Sequence, residues 1–341
     1  MLCRMFTAML MLSLVLASHA QNISQPTAQI ALTVRGSTNS AKLDIDTTRR
    51  ENWSTIDLHH SGLAVDAGTE FLLNKTELGG CTRELVRLEW RPNDPIDLYL
   101  IHPQSATAPP VVLFLLDHTF DTDIFRSRSW CQEARQHGIA IAGFGSALSP
   151  QRFHAPRPMK QWFVSELQEA LASSTHDVQM ILNYLARRSD IDMQHVGMLG
   201  QGSGGTIAIL AAAADSRISA LDLLDPWGDW PDWLKDSKLI PEQERATYLQ
   251  PAFIARVVGL DPIQYLPKLQ CKALRIQLVT EDPVTPPSAR DKIATAVPST
   301  GSILRFADRH SEHDAWGTKG ISEWISEQLR SEQVSKIRTV D

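Results

Sequence analysis

The sequence predicts an α/β protein, with one mostly parallel sheet and helices on both faces. Three observations carry this. Continuous apolar runs such as VVLFLL, Val111–Leu116, suit strands buried on both sides. These runs alternate with segments of helical period, of which Glu166–Arg188 is the longest. A hairpin pattern precedes the alternation, so the sheet opens antiparallel and continues parallel. With 341 residues there is material for one large domain or two ordinary ones.

The elements follow in order. Arg4, an apolar run over Met5–Ala17 and the small residues of Ser18-His19-Ala20 form a secretory signal pattern over 1–20, too short for a spanning helix. Residues 21–83 read as a partly ordered arm, polar over 21–50, with a short strand at Ile30–Val34. The main domain is expected over 84–341. Glu84–Trp90 and Ile96–Ile101 flank the turn Asn93-Asp94-Pro95 and make the hairpin. Strand Val111–Leu116, helix Asp123–His137 ended by Gly138, and strand Ile139–Phe144 come next. A Pro- and Arg-rich loop at 149–160 leads to helix Glu166–Arg188, strand His195–Gly200, helix Thr206–Ala214 and strand Ile218–Leu224. Residues 226–270, rich in Trp, Pro and Leu, read as an insertion. Strand Leu274–Val279, helix Pro287–Ala296, strand Ser302–Phe306 and helix Ile321–Val334 complete the chain. Leu113, Leu115, Ile141, Leu199, Leu223 and Ile276 are expected in the sheet core.

This order, with the run VGMLGQGSGG at Val196–Gly205, resembles the α/β-hydrolase superfamily, in particular its dienelactone hydrolases and esterases. The resemblance spans roughly residues 84–335. It implies a Ser-His-Asp mechanism on an ester or related acyl bond, with the serine on a tight strand-to-helix elbow. In LVTEDPVTP, Leu278–Pro286, Asp282 stands where the family places its acid, and Asp225 after the preceding strand is the reserve. In RFADRHSEHD, Arg305–Asp314, His310 matches the family histidine and His313 is its reserve.

The elbow departs from the pattern. Gly200, Gly204 and Gly205 supply the small positions the turn needs, but they centre it on Gly202, which has no nucleophilic atom. Ser203 stands one place late. The oxyanion loop departs too: Leu116-Asp117-His118-Thr119-Phe120 replaces a glycine-rich stretch, and leaves Thr119, Phe120 and Gly204 as the N–H donors. Two functions therefore stay open. One is an exported ester hydrolase in which Ser203 attacks, His310 takes the proton and Asp282 orients it. The other is a catalytically inactive pseudo-hydrolase that binds a small molecule or a protein, with the Trp-rich insertion shaping an apolar pocket.

The net charge of -6 and the lack of a basic stripe exclude nucleic acid as an expected partner. The expected partner is a small molecule, apolar in part, with no cofactor, no metal and no membrane contact once the signal is removed. The signal predicts a secreted or periplasmic protein. Of the four cysteines, Cys3 leaves with the signal; Cys81, Cys131 and Cys271 permit one disulfide, whose pairing the sequence leaves open. N-x-S/T triplets stand at Asn22, Asn52 and Asn74.

Overall fold

Nine strands are hydrogen-bonded side by side in the order β1-β2-β3-β5-β4-β6-β7-β8-β9. The computed structural model describes residues 51–66, 68–152 and 164–338, which lie in one compact unit beginning at Thr48. The signal pattern, the strand expected at Ile30–Val34 and most of the loop 149–160 fall outside the described residues.

The chain enters the sheet with β1 (Thr69–Glu77), β2 (Cys81–Glu89) and β3 (Ile96–Pro103), a meander of antiparallel strands. Then come β4 (Pro110–Leu115), α1 (Arg128–His137), β5 (Ala140–Phe144), α2 (Leu167–Leu185), β6 (Asp192–Gln201), α3 (Ser203–Ala214) and β7 (Ile218–Leu224). After β7 the chain forms α4 (Trp230–Asp236), α5 (Glu242–Tyr248) and α6 (Pro251–Val257), then β8 (Ala273–Val279), α7 (Pro287–Ala296), β9 (Ser302–Phe306), α8 (Arg309–Trp316) and α9 (Glu323–Arg338). From β5 onward all neighbouring strands are parallel.

The pleat explains the apolar runs. Along β4, Val111, Leu113 and Leu115 enter one hydrophobic layer with α2 and α3, while Val112 and Phe114 enter the opposite layer with α1 and α9. A strand covered on both faces has no polar side to show. The six residues expected in the sheet core are all fully buried.

Four differences from the expected elements have physical causes. The arm carries β1, an edge strand whose exposure leaves no alternating pattern to read, and β2 begins at Cys81, before the expected start at Glu84. The segment 123–137 is two helices, because Ser127 turns extended and its side chain caps α1 by accepting from Ser129 N. The insertion's tryptophans join the core: Trp227, Trp230 and Trp233 are at most 1% exposed, and Trp227 stacks on Trp233 at 4.9 Å. Finally, the stretch after β9 is helical where a loop was expected, which governs the site. Cys81 and Cys131 form a disulfide between the start of β2 and α1, and Cys271 is free.

Candidate functional site

β4, β6, β7 and β8 run parallel, so the chain leaving each arrives at the same end of the sheet. That end gathers Asp117, Gly202, Asp225 and Asp282.

The turn after β6 has its sharp point at Gly202, with φ 54° and ψ -119°. Glycine reaches this conformation without a Cβ penalty. Gly202 N–H donates to Leu224 O at 2.8 Å, tying the turn to β7. Small residues are mandatory beside it: a Cβ on Gly204 would lie 1.8 Å from Leu115 O, and one on Gly200 2.5 Å from Gly204 O. The sharp point of the turn is thus at Gly202, with Ser203 beginning the helix.

Ser203 follows as the first residue of α3 and is fully buried. Its hydroxyl donates to Asp117 Oδ1 at 3.0 Å and accepts from His118 N at 2.8 Å. Its backbone N–H donates to the same Asp117 oxygen at 3.1 Å. In an acyl-transfer site the N–H following the nucleophile faces the developing oxyanion. Here that donor already holds a carboxylate. Asp117 Oδ1 also lies 3.2 Å from His118 Nδ1, and a Cβ built on Gly202 would come within 2.5 Å of it. Burial works to raise the Asp117 carboxyl, but its contacts with His118 and Ser203 outweigh that and hold it below the usual carboxylate range. Of the other expected donors, Phe120 N–H is spent on Asp117 O at 2.9 Å, and Thr119 is exposed.

The expected acid and histidine are not joined. Asp308 caps α8 by accepting from Ser311 N, and Ser311 Oγ completes the capping box. The helix so started turns His310 outward. Its side chain is 86% exposed and sits 3.4 Å from Asp314, one turn on. The structure therefore does not bring Ser203, Asp282 and His310 together. His313 packs against the Trp316 ring at 4.7 Å.

Arg309 takes the inward place. Its Nη1 lies 2.5 Å from Asp225 Oδ2 and 3.0 Å from Glu312 Oε2, and its Nη2 3.7 Å from Asp282 Oδ1. The contact with Asp225 is an ion pair without hydrogen-bond alignment. Asp225 sits at φ 42° and accepts from Val279 N at 2.6 Å; Asp282 accepts from Val284 N and Thr285 N. Burial pushes the Asp225 carboxyl up to about 7, with Asp282 and Glu312 adding to the push against Arg309 and the Val279 N–H. One guanidinium is thus shared by three buried carboxylates. Sequence reasoning missed Arg309 and Glu312. The signal was the D-x-x-S cap at Asp308, which starts a helix and sets Arg309 and Glu312 on one face.

Beside this cluster opens a cleft of about 500 Å³. Leu116, Phe120, Ile124, Trp130, Trp316 and Ile321 form its apolar walls, and Gln201 and Arg309 also line it. The insertion tryptophans expected to shape such a pocket are in the core instead. Among the described residues, no group of three or more His, Cys, Asp or Glu side chains is placed to hold a metal ion.

The strand order, with an elbow between β6 and α3 and side chains gathered past the strand ends, defines the α/β-hydrolase fold. Among solved structures, the chain is similar to acetyl xylan esterase 1 from Thermoanaerobacterium sp., at 12% identity and a TM-score of 0.61, covering 77% of this chain and 88% of that one. It is also similar to an acetyl xylan esterase from Paenibacillus sp. R4 (16% identity, TM-score 0.55, 72% and 86% covered). An S-formylglutathione hydrolase from Agrobacterium tumefaciens gives 12% identity and a TM-score of 0.52, with 76% and 99% covered. At these identities the likeness is one of fold. No family model matches the sequence, and no curated protein does.

Proposed function

We propose that this chain is a binding protein built on the α/β-hydrolase fold, without serine-hydrolase chemistry, and that the cleft beside Gln201 and Arg309 holds a small, partly apolar molecule. The observation that carries this is Asp117. Its carboxylate lies against the glycine at the elbow, on the N–H that would stabilise an oxyanion. A second negative charge developing there would meet a like charge at contact distance in a water-poor site. Arg309 supports the same reading, because a guanidinium among the acids supplies no base at neutral pH.

The competing reading is an ester hydrolase in which Ser203 attacks. Two of the similar solved structures are esterases, which supports it. It requires the turn to shift by one residue, Asp117 to leave, and a histidine to reach Ser203. One experiment separates the two. A fluorophosphonate probe labels a serine activated by a base. The binding reading expects no labelling of the wild-type protein. Strong labelling that Ser203→Ala abolishes would refute it.

We also propose that the protein is exported and loses residues 1–20. The N-terminal pattern supports this, and so does the Cys81–Cys131 disulfide, a bond typical of oxidising compartments. Intact-mass measurement of the exported protein should give Gln21 as the first residue; a retained Met1 would count against it.

A further inference from the structure

The cleft lies between two helix faces, and its two ends differ in charge. On α1, Trp130 and Glu133 stand one turn apart; on α8, Arg309, His313 and Trp316 follow at helical spacing, and all five line the cleft. The Arg309 guanidinium is held at the strand ends by Asp225 and Asp282. Glu133 belongs to the opposite end. Its Oε1 accepts from Ser322 N at 2.8 Å, just past the turn that closes α8 at Gly317. The eight residues of α8 put about 12 Å of helix between these ends.

Glu133 is a carboxylate short of a cation. Its side chain is 16% exposed, so it has lost most of its water. His137 Nε2 lies 3.6 Å from Oε1, but it donates to Lys319 O at 2.7 Å. Lys319 itself pairs with Glu323 at 2.6 Å. Oε2 lies against Gly320, where a Cβ would come within 2.5 Å, and the Gly320 N–H is spent on Trp316 O. Among the described residues nothing donates to Oε2, and no ammonium or guanidinium pairs with Glu133. A carboxylate so far withdrawn from water gains from a cation that completes it. The other end adds no surplus positive charge, because Asp225, Asp282 and Glu312 share the single Arg309 guanidinium. His313 packs on Trp316 at 4.7 Å and brings no negative charge of its own. The charge around the cleft is therefore net negative, and it draws cations and repels anions.

From this juxtaposition we infer that the cleft recognises an organic cation, a flat apolar body bearing one ammonium group, with the ammonium on Glu133 and the body against Trp130 and Trp316. The inference deepens the binding reading and rests on it only in treating the cleft as a resting place and not a reaction chamber. The ammonium donates to Glu133 Oε2, a charge-assisted bond between two groups that both leave water. The indole rings take the body by stacking and edge contacts, and their π-electrons favour a positive charge beside them. A neutral head leaves the carboxylate uncompensated, and an anionic head meets a like charge where water is scarce.

The test uses three probes with one ring system: 2-naphthylmethylammonium, its neutral isostere 2-naphthylmethanol, and 2-naphthoate. They are titrated calorimetrically into the full exported chain at pH 8, where ordinary imidazoles add no charge. The ammonium should bind at least about tenfold more tightly than the alcohol, and the carboxylate more weakly than both. Raising the salt to about 0.5 M should weaken the ammonium and leave the alcohol nearly unchanged. Glu133→Gln keeps an oxygen for Ser322 N; it should bring the ammonium down to the level of the alcohol without moving the alcohol. Trp316→Ala should weaken both. If Glu133→Gln does not fold, the ranking of the three probes and its salt dependence in the wild type decide the matter. Equal or tighter binding of the alcohol or the carboxylate, no binding of any probe, or an ammonium preference that survives Glu133→Gln would overturn the inference. Fluorophosphonate labelling of the wild type with the ammonium preference intact would sink the binding reading and leave this one standing.

Discussion

Gly202→Ala measures whether Asp117 occupies the elbow. At φ 54° and ψ -119°, a residue with a Cβ carries backbone strain of about 1–3 kcal/mol. The new Cβ would also stand 2.5 Å from Asp117 Oδ1, well inside contact distance, so the carboxylate must move. It is held there by Ser203 N at 3.1 Å and Ser203 Oγ at 3.0 Å. Giving up one hydrogen bond to a charged group costs about 1.5–3 kcal/mol. The substitution should therefore destabilise the protein by about 2.5–6 kcal/mol. In an Asp117→Ala background the clash and the hydrogen bonds are already gone, and only the backbone strain of about 1–3 kcal/mol should remain. Urea unfolding of the four proteins closes a double-mutant cycle whose coupling should exceed about 1.5 kcal/mol. If Gly202→Ala costs the same in both backgrounds, to within about 0.5 kcal/mol, Asp117 does not fill the elbow and the argument against a nucleophile there loses its main support.

Two further outcomes follow from the site and the crosslink. The Asp225 carboxyl, raised from 3.8 to about 7, binds its proton more tightly in the folded protein than in the unfolded chain. Its stabilisation is full below about pH 4 and is lost as pH rises through about 7, so the stability of wild type relative to Asp225→Asn should fall across that window; a flat difference would refute the assignment. The Cys81–Cys131 bond closes a separation of 50 residues, for which loop entropy gives about 4 kcal/mol. Dithiothreitol should lower the urea midpoint of the wild type and leave a Cys81→Ser/Cys131→Ser variant unmoved.

The sheet was legible because its strands are buried on both faces and carry their signal in every residue. Val111–Leu116 and Ile218–Leu224 needed only composition and length to be read. β1 was not legible, since its residues TEFLLNKTE are almost all exposed and neither alternate nor form an apolar run between turn signals. The elbow register was readable from sterics alone: Gly200 and Gly204 each face backbone atoms that exclude a Cβ, and this fixes the turn on Gly202. His310 was misplaced for the opposite reason. A family pattern gave it a loop, while a local cap at Asp308 made that stretch a helix and reversed which side chains face the sheet. Asp282 faces Arg309 and not the His310 it was expected to orient.

The three departures at the strand ends are electrostatically linked. Gly202 places no side chain at the elbow, and that leaves room. The carboxylate that enters, Asp117, satisfies the Ser203 N–H and hydroxyl that would otherwise be buried donors without an anion. At the other end of the site, Asp225 and Asp282 are buried whether or not a histidine is present, and buried carboxylates need a partner. A histidine would supply charge only when protonated. Arg309 supplies it at every pH, and the α8 helix brings Glu312 with it at 3.0 Å. A site under selection to move protons keeps groups that titrate near neutrality and can reach one another. Here the one group raised to about 7, Asp225, is 1% exposed and faces a guanidinium that has no proton to exchange. With one fixed cation set against three buried carboxylates, and a carboxylate already on the Ser203 hydroxyl, the arrangement favours the binding reading over turnover.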